Sequence, residues 1–202
     1  MDKKTVGDEI NLLEYDFIYI GCGTEKNQAV VMDDLKKYTE DLKKYLDSDK
    51  YALFTGNSFE MLGSKIDGKE ALKILNFEVE RLKDRKTSDV ILKSKYFKNE
   101  VVGFINKMSN VTKNQNPLFE VEFGIGENDN SDYEGIKYKN LYGTYVSGPI
   151  LVRNPEMLKT IILGICEIKD KNFKCKVNTY ANEEDGYLLV LSELMKRKTE
   201  KE

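Results

Sequence analysis

Residues 52–63 read Ala52-Leu53-Phe54-Thr55-Gly56-Asn57-Ser58-Phe59-Glu60-Met61-Leu62-Gly63. The short apolar run that ends at Phe54 predicts a buried strand, because it is continuous and is bounded by turn residues. Small polar residues follow from Thr55 to Ser58, and Phe59 opens a segment that we expect to be helical. A strand, a tight turn and a helix make the geometry of a nucleophile elbow, which holds one side chain at a helix N-terminus. The residue at the tip of this elbow is Gly56, which has no side chain to react.

Composition limits the class of protein. The 202 residues, 40% hydrophobic and 33% charged, suit one compact domain, which we expect to span residues 1–202. The 32 Lys and Arg residues nearly balance the 35 Asp and Glu residues, and the two signs are interleaved, so nucleic-acid binding is not predicted. Neither a signal peptide nor an apolar run of membrane-spanning length is visible. Three loosely spaced cysteines (Cys22, Cys166 and Cys175) suit a reducing cytoplasm, and we expect a cytoplasmic protein without a metal or cofactor.

The chain contains no histidine. A mechanism that needs an imidazole base, such as a Cys-His dyad or a Ser-His-Asp triad, is therefore closed to this chain alone. Cys22 could be a displaced nucleophile, but we favour a partly buried thiol in a turn, because no base or cationic neighbour is evident to activate it. Thr55 and Ser58 are interpreted as turn residues for the same reason.

The remaining sequence alternates between strand and helix patterns. It predicts strands at 15–20, 72–79, 89–92, 101–106 and 119–123, paired strands at 134–138 and 141–146 that are joined by Lys139-Asn140, and helices at 29–47, from Pro155 and at about 183–198. This order favours an α/β sheet with an antiparallel extension.

Three motifs resemble class I glutamine amidotransferases of the CobB/CobQ type. The elbow resembles Ile-Cys-Gly-Gly-Tyr-Gln-Leu-Leu-Gly, and the family's nucleophilic Cys falls on Gly56. The run from Tyr15 to Gln28 resembles a family strand that ends in Gly-Gly-Gly. Gly143-Thr144-Tyr145-Val146-Ser147-Gly148-Pro149 resembles Gly-Thr-Tyr-Leu-His-Gly-Pro, in which the His is the general base and falls on Ser147. The resemblance runs in uninterrupted order over roughly residues 15–165.

This resemblance implies a fold and a pocket. The fold would be the flavodoxin-like three-layer domain of the family, without its first strand-helix segment, because only about fourteen residues precede the first strand here. A sheet edge would then be open, so we expect either that the true start of the chain lies upstream or that a partner fills the gap. The pocket residues would be Gly21, Gly23, Asn57 and Gly148. Arg85 is either the family's substrate-binding arginine or an ordinary surface arginine.

Within the family, the chain resembles GatD, a glutaminase subunit that passes ammonia to the Mur-ligase-like MurT for amidation of the D-glutamate of the lipid II stem peptide. Because the Cys and His positions are Gly56 and Ser147, we expect a GatD-like partner of a MurT-like ligase that has lost glutaminase activity and could still bind glutamine. Losing catalytic groups that act as a unit costs on the order of a million-fold in rate. The alternatives are an active glutamine-hydrolysing subunit, with the missing groups supplied by another chain, and a non-catalytic ligand-binding relic.

Overall fold

The structure is a computed structural model that describes residues 1–173 and 181–200. Its strands are β1 (Phe17–Ile20), β2 (Tyr51–Thr55), β3 (Lys65–Ile66), β4 (Lys69–Glu70), β5 (Glu78–Lys93), β6 (Val101–Thr112), β7 (Phe119–Phe123), β8 (Tyr133–Glu134), β9 (Ile136–Tyr138), β10 (Leu141–Thr144) and β11 (Val146–Ser147). Its helices are α1 (Glu25–Leu35), α2 (Thr39–Asp47), α3 (Ile150–Arg153), α4 (Pro155–Lys169) and α5 (Ala181–Thr199). The third cysteine of the sequence, Cys175, lies outside the described residues.

The first sheet carries the elbow. Its order is β1-β2-β10-β9, with β1, β2 and β10 parallel and β9 antiparallel to β10. Ala52, Leu53 and Phe54 are fully buried in β2, which has a neighbour on both sides. An interior strand covered on both faces needs a continuous apolar run rather than an alternating one, so the predicted strand is confirmed.

The second sheet is built on a long antiparallel pair, β5 and β6. Its order is β11-β6-β5-β3-β4, and β7 and β8 extend it from β5. The register of β5 on β6 shifts between Arg81 and Lys86, which marks a bulge. The predicted strands at 89–92 and 101–106 are therefore parts of much longer strands. The predicted pairing of the two strands joined by Lys139 and Asn140 is confirmed between β9 and β10. The predicted bounds 134–138 and 141–146 are wrong, because each segment is divided between the two sheets, with β8 and β11 in the second one.

The predicted single helix at 29–47 is wrong. A 3-10 turn at Lys36–Tyr38 divides it into α1 and α2. The Tyr38 hydroxyl donates to the Asp8 carbonyl at 3.1 Å and accepts from the Ile10 N–H at 3.1 Å, so a contact with the N-terminal segment coincides with the break. The start of α1 is stabilised by an N-cap, because the Thr24 hydroxyl accepts a hydrogen bond from the Asn27 N–H at 3.1 Å.

The predicted strand at 72–79 is also wrong, since β5 begins only at Glu78. The N–H of Leu72 donates to the Met61 carbonyl at 3.0 Å, and the N–H of Ile74 donates to the Leu62 carbonyl at 3.1 Å. This apolar segment therefore packs on the end of the elbow instead of joining a sheet edge.

The C-terminal helices were predicted correctly. Pro155 occupies the first turn of α4, where its missing N–H costs nothing. Asn154 precedes it and is buried, and its side chain accepts from the Val102 N–H at 2.8 Å and donates to the Val102 carbonyl at 2.9 Å. These bonds attach α4 to β6. Of the helices in the described ranges, none has the length and apolar character required to cross a membrane.

Two glycines provide a test of this packing. A Cβ added at Gly143 in β10 would lie 2.8 Å from Ile136 Cγ2 and 2.9 Å from Phe59 Cβ. We expect Gly143→Ala to lower the free energy of unfolding by about 1–3 kcal/mol through overpacking. Gly186→Ala is the control, because the added Cβ on α5 meets nothing within 4 Å. It should stabilise by about 0.5–1 kcal/mol through helix propensity. Urea unfolding measures both changes in the free energy of unfolding. Changes of the same sign in the two variants would contradict this packing.

Candidate functional site

The turn after β2 has the backbone of a nucleophile elbow. Gly56 has a φ of +60° and begins a 3-10 turn that runs to Leu62. The predicted helix after the strand is therefore a 3-10 helix rather than an α-helix. In an elbow, the residue at the strand-to-helix turn is held in such a strained conformation. Glycine adopts it without steric cost, so the backbone persists where the side chain is missing.

The side chain of Cys22 fills the space that a side chain at position 56 would need. A Cβ built on Gly56 would lie 2.3 Å from Cys22 Cβ and 3.5 Å from Cys22 Sγ. Cys22 is exposed, and so is the rest of the loop Gly21–Thr24. The expectation of a partly buried thiol is wrong on this point, because the loop lies at the open end of β1.

Loop and elbow are joined by hydrogen bonds. The Gly23 N–H donates to Asn57 Oδ1 at 3.0 Å, which brings two of the predicted pocket residues together. The Thr55 hydroxyl shares a 3.0 Å hydrogen bond with the Tyr19 hydroxyl, and the Ser58 hydroxyl donates to the Thr55 carbonyl at 2.8 Å. Both hydroxyls thus hold the turn, which agrees with the interpretation of Thr55 and Ser58 as turn residues.

Beneath the elbow lies a buried polar cluster centred on Glu60. Its Oε2 accepts from Gln28 Nε2 at 2.7 Å and from Arg81 Nη1 at 2.9 Å, and its Oε1 accepts from the Tyr145 hydroxyl at 2.9 Å. Arg81 also donates to Ser109 Oγ at 2.6 Å. Burial and the nearby Glu60 carboxylate raise the pKa of Tyr145 well above its ordinary value. Both oxygens of the carboxylate are satisfied, so this cluster is a support for the elbow.

At the position of the family's general base this chain has Ser147, whose hydroxyl already makes a hydrogen bond. Ser147 lies in β11, and its Oγ donates to the Phe104 carbonyl on β6 at 3.2 Å. Gly148 follows with a φ of +81° and open space where a Cβ would be. Within residues 1–173 and 181–200, no hydrogen bond joins Gly148 or Gly21 to Gly23 or Asn57, so their role as pocket residues stays a prediction.

Arg85 lies in the bulge of β5. Its guanidinium pairs with Glu25 Oε1 at 3.2 Å and donates to Asn106 Oδ1 at 3.1 Å, and about half of the side chain is exposed. The ion pair links the first turn of α1 to the β5–β6 pair. A substrate-binding role for Arg85 stays a prediction, because a bound anion would have to compete with Glu25.

Two buried ionisable residues, Lys107 and Glu134, were not predicted from the sequence. Lys107 Nζ donates to the carbonyls of Gly126 and Glu127 at 2.7 Å each, and burial lowers the pKa of Lys107 to about 8. Glu134 accepts from the Thr144 hydroxyl at 2.7 Å and from the Tyr145 N–H at 2.6 Å, and burial raises the pKa of Glu134 to about 7. Neither residue stands out by spacing, because only the fold places them in the interior. Within the described ranges, no group of three or more Cys, Asp and Glu side chains could hold a metal ion.

The buried Glu134 predicts a pH-dependent stability. Between pH 4.5 and 7 the folded chain keeps a proton on Glu134 that the unfolded chain has lost, so the free energy of unfolding falls as the pH rises. Relative to Glu134→Gln, the wild-type chain should lose about 2–3 kcal/mol over this range, at about 1.4 kcal/mol per pKa unit. Urea unfolding at a series of pH values measures the difference. The exposed Glu120→Gln is the control, and an unchanged slope in Glu134→Gln would contradict the assignment.

The elbow backbone, the parallel strands and the Gly-Thr-Tyr segment at the end of β10 define an amidotransferase-type α/β domain. Comparisons with known proteins agree. The model of the CobB/CobQ-like glutamine amidotransferase domain matches residues 2–155. The lipid II isoglutaminyl synthase (glutamine-hydrolyzing) subunit GatD of Staphylococcus aureus (strain N315) is 36% identical over 168 residues, which cover 81% of this chain and 69% of the relative. The subunit of the same name from Streptococcus pneumoniae (strain ATCC BAA-255 / R6) is 28% identical over 170 residues, which cover 80% of this chain and 65% of the relative.

The chain therefore spans about two thirds of the length of these curated relatives. Among solved structures, a glutamine amidotransferase from Thermotoga maritima is similar with a TM-score of 0.50 and 16% identity, covering 94% of this chain and 80% of that chain. At this identity the likeness concerns the fold alone. The chain belongs to the CobB/CobQ-like glutamine amidotransferase family, in which it is GatD-like, and the predicted α/β amidotransferase fold is confirmed.

Proposed function

We propose that this chain is a GatD-like subunit of a lipid II isoglutaminyl synthase, that it pairs with a MurT-like Mur ligase in peptidoglycan biosynthesis, and that it does not itself hydrolyse glutamine. The likeness to two GatD subunits supports the assembly. The elbow is the observation that supports a loss of activity, because Gly56 stands at the nucleophile position and Cys22 fills the space beside it. We further propose that residues 1–202 form one domain.

The chemistry of amide hydrolysis explains why these two positions matter. A thiolate must attack the amide carbon, and an acid-base group must activate that thiol and protonate the departing ammonia. Gly56 has nothing to attack with. Ser147 offers only a hydroxyl, which is a poor base near neutral pH, and the 202 residues include no histidine.

The scaffold of the site nevertheless persists, which favours a retained binding or assembly role. The turn keeps its left-handed backbone at Gly56, the Gly23–Asn57 bond holds the loop to the elbow, and the Glu60 cluster supports both. We therefore propose that the chain binds glutamine without hydrolysing it.

One observation favours a second candidate, an active glutaminase subunit. Cys22 is an exposed thiol in contact with the nucleophile position, so it could attack a glutamine bound beside the elbow. Its base would have to come from another chain, because this one lacks an imidazole.

Restoring the missing groups tests the loss of activity. We expect the purified wild-type chain to release no ammonia from glutamine, and Cys22→Gly/Gly56→Cys/Ser147→His to gain measurable release. Gly56→Cys/Ser147→His is the matched control. It should gain less, because Cys22 still occupies the space that the new thiol needs. Ammonia release is measured under reducing conditions, with and without the ligase.

The same assay separates the two candidates. Release by the wild-type chain, alone or with the ligase, that disappears in Cys22→Ser would overturn the proposed inactivity and establish the second candidate. If the triple variant releases no ammonia, the pocket no longer accepts glutamine in a reactive position.

Co-purification tests the assembly. We expect the tagged chain, co-expressed with a MurT-like ligase of the same organism, to elute as a stable complex of defined stoichiometry in size-exclusion chromatography with light scattering. A Mur ligase that acts on a different stem-peptide step is the control and should not co-elute. Separate elution of two folded proteins would refute the proposed partnership.

A further inference from the structure

The outer face of α5 exposes a short apolar stretch. On its inner side the helix packs on β5 and β6 through the buried side chains of Tyr187 and Leu194, and the Tyr187 hydroxyl donates to the Glu100 carbonyl at 2.9 Å. On its outer side, Leu188 and Leu189 are 57% and 72% exposed. Because the inner contacts hold the helix in place, these two leucines form a fixed apolar surface that faces solvent.

Leu189 belongs to a row of four exposed side chains that also includes Asp185, Ser192 and Lys196, and we call this row the α5 stripe. Successive members are four, three and four residues apart, so they lie within about 60° of one another around the helix, at about 100° per residue. The stripe has an acidic end, an apolar and a small polar residue in the middle, and a basic end. It lies outside the elbow, and α5 follows residues 2–155, which the family model matches.

Two copies of the α5 stripe are complementary when their helices run antiparallel. A two-fold axis between residues 190 and 191 places Asp185 of each copy opposite Lys196 of the other, and Leu189 opposite Ser192, so every contact occurs twice. The two ion pairs would lie roughly 16 Å apart along the helices, with the leucines between them. A parallel arrangement would instead bring like charges together, which is unfavourable.

The members of the stripe are available for such contacts. Asp185 has neither a hydrogen bond nor an ion pair within residues 1–173 and 181–200. Lys196 makes one long ion contact, at 3.9 Å from Glu193. The Ser192 hydroxyl donates to the Leu189 carbonyl at 2.9 Å, so the leucine of another copy can cover it without leaving an unpaired polar group. Association would therefore give the charged ends a partner and would break no hydrogen bond in the middle.

The macrodipole of α5 does not by itself account for this pattern. It favours acids in the first turn and bases in the last turn, whichever face of the helix they occupy. The acids of the first turn are Glu183 and Glu184, whereas Asp185 lies beyond them and shares the stripe with Leu189 and Lys196. The position of Asp185 therefore fits a charge pair between two molecules.

We propose that the α5 stripe is a self-association surface, on which two copies of this chain pair through antiparallel α5 helices. The helix has 19 residues and is about 28 Å long, so the contact is smaller than a standard interface of about 1,600 Å². We therefore expect a weak dimer with a Kd on the order of 10–100 µM. This inference does not rest on the proposed function, because it uses no residue of the elbow and no ligase.

Sedimentation equilibrium of the full chain tests the dimer over about 5–500 µM, a range that brackets the expected Kd. Leu189→Asp should weaken dimerisation at least about tenfold, because it places carboxylates at the centre of the contact. Val30→Asp is the matched control, because Val30 is 49% exposed on a different helix, α1, and it should leave the Kd unchanged. A wild-type chain that stays monomeric throughout this range would overturn the proposal.

An exchange of charges tests the antiparallel order. Lys196→Asp should weaken dimerisation about tenfold, because each Asp185 would then face another carboxylate. Asp185→Lys/Lys196→Asp should bring the Kd back to within about threefold of the wild-type value, since the exchanged groups attract again. Lys26→Asp changes the net charge equally at an exposed position of α1 and should not alter the Kd. A double variant that dimerises no better than Lys196→Asp would refute the proposed pairing.

The MurT-like ligase is the other occupant to test. A wild-type chain that is monomeric alone, together with a Leu189→Asp variant that no longer co-elutes with the ligase, would assign the stripe to the ligase and overturn self-association. Dimerisation of the wild-type chain without co-elution would support this inference and refute the proposed partnership. All substituted side chains are at least partly exposed, so circular dichroism should show an unchanged helix content in each variant.

Discussion

The buried carboxylate of Glu60 is the interaction on which the rest of the site depends. It joins Gln28 of α1, Arg81 of β5 and Tyr145 after β10 through hydrogen bonds to its two oxygens. Removing one member of such a cluster leaves a buried charge without a partner, which costs about 3–5 kcal/mol. Glu60 itself belongs to the elbow turn. The position of the elbow relative to both sheets is therefore set by this carboxylate and not by the residues that would do chemistry.

The residues that support the elbow are different from the residues that would do chemistry. The backbone of the elbow can therefore persist although the nucleophile is absent. A nucleophile in a left-handed backbone conformation stores strain of about 1–3 kcal/mol, which the surrounding structure has to offset. Glycine at position 56 removes that strain, and Cys22 Cβ occupies the space where a side chain at position 56 would begin. Positions 56 and 22 are sterically coupled, because a side chain at position 56 would meet Cys22 Cβ at 2.3 Å unless the backbone shifted.

How far the sequence could predict the structure depended on whether each signal was local. The continuous apolar run of β2 and Pro155 at the start of α4 act through their own neighbourhood, and these two elements were predicted correctly. The helix at 29–47 and the strand at 72–79 were wrong, because tertiary hydrogen bonds to Tyr38 and to the end of the elbow outweighed the local pattern. The resemblance to a family identified the nucleophile and base positions, which periodicity alone would have missed.

The sequence by itself determined that this chain belongs to an amidotransferase family, and that it lacks both a cysteine at the elbow and any histidine, since these are properties of residue identity and order. Only the tertiary structure decided that Cys22 fills the space beside Gly56, that Arg85 already pairs with Glu25, and that Lys107, Glu134 and Lys137 are buried. The physical reason is that burial and charge pairing arise between residues far apart in the chain. Their energies depend on distances of a few ångströms, which no spacing along a sequence encodes.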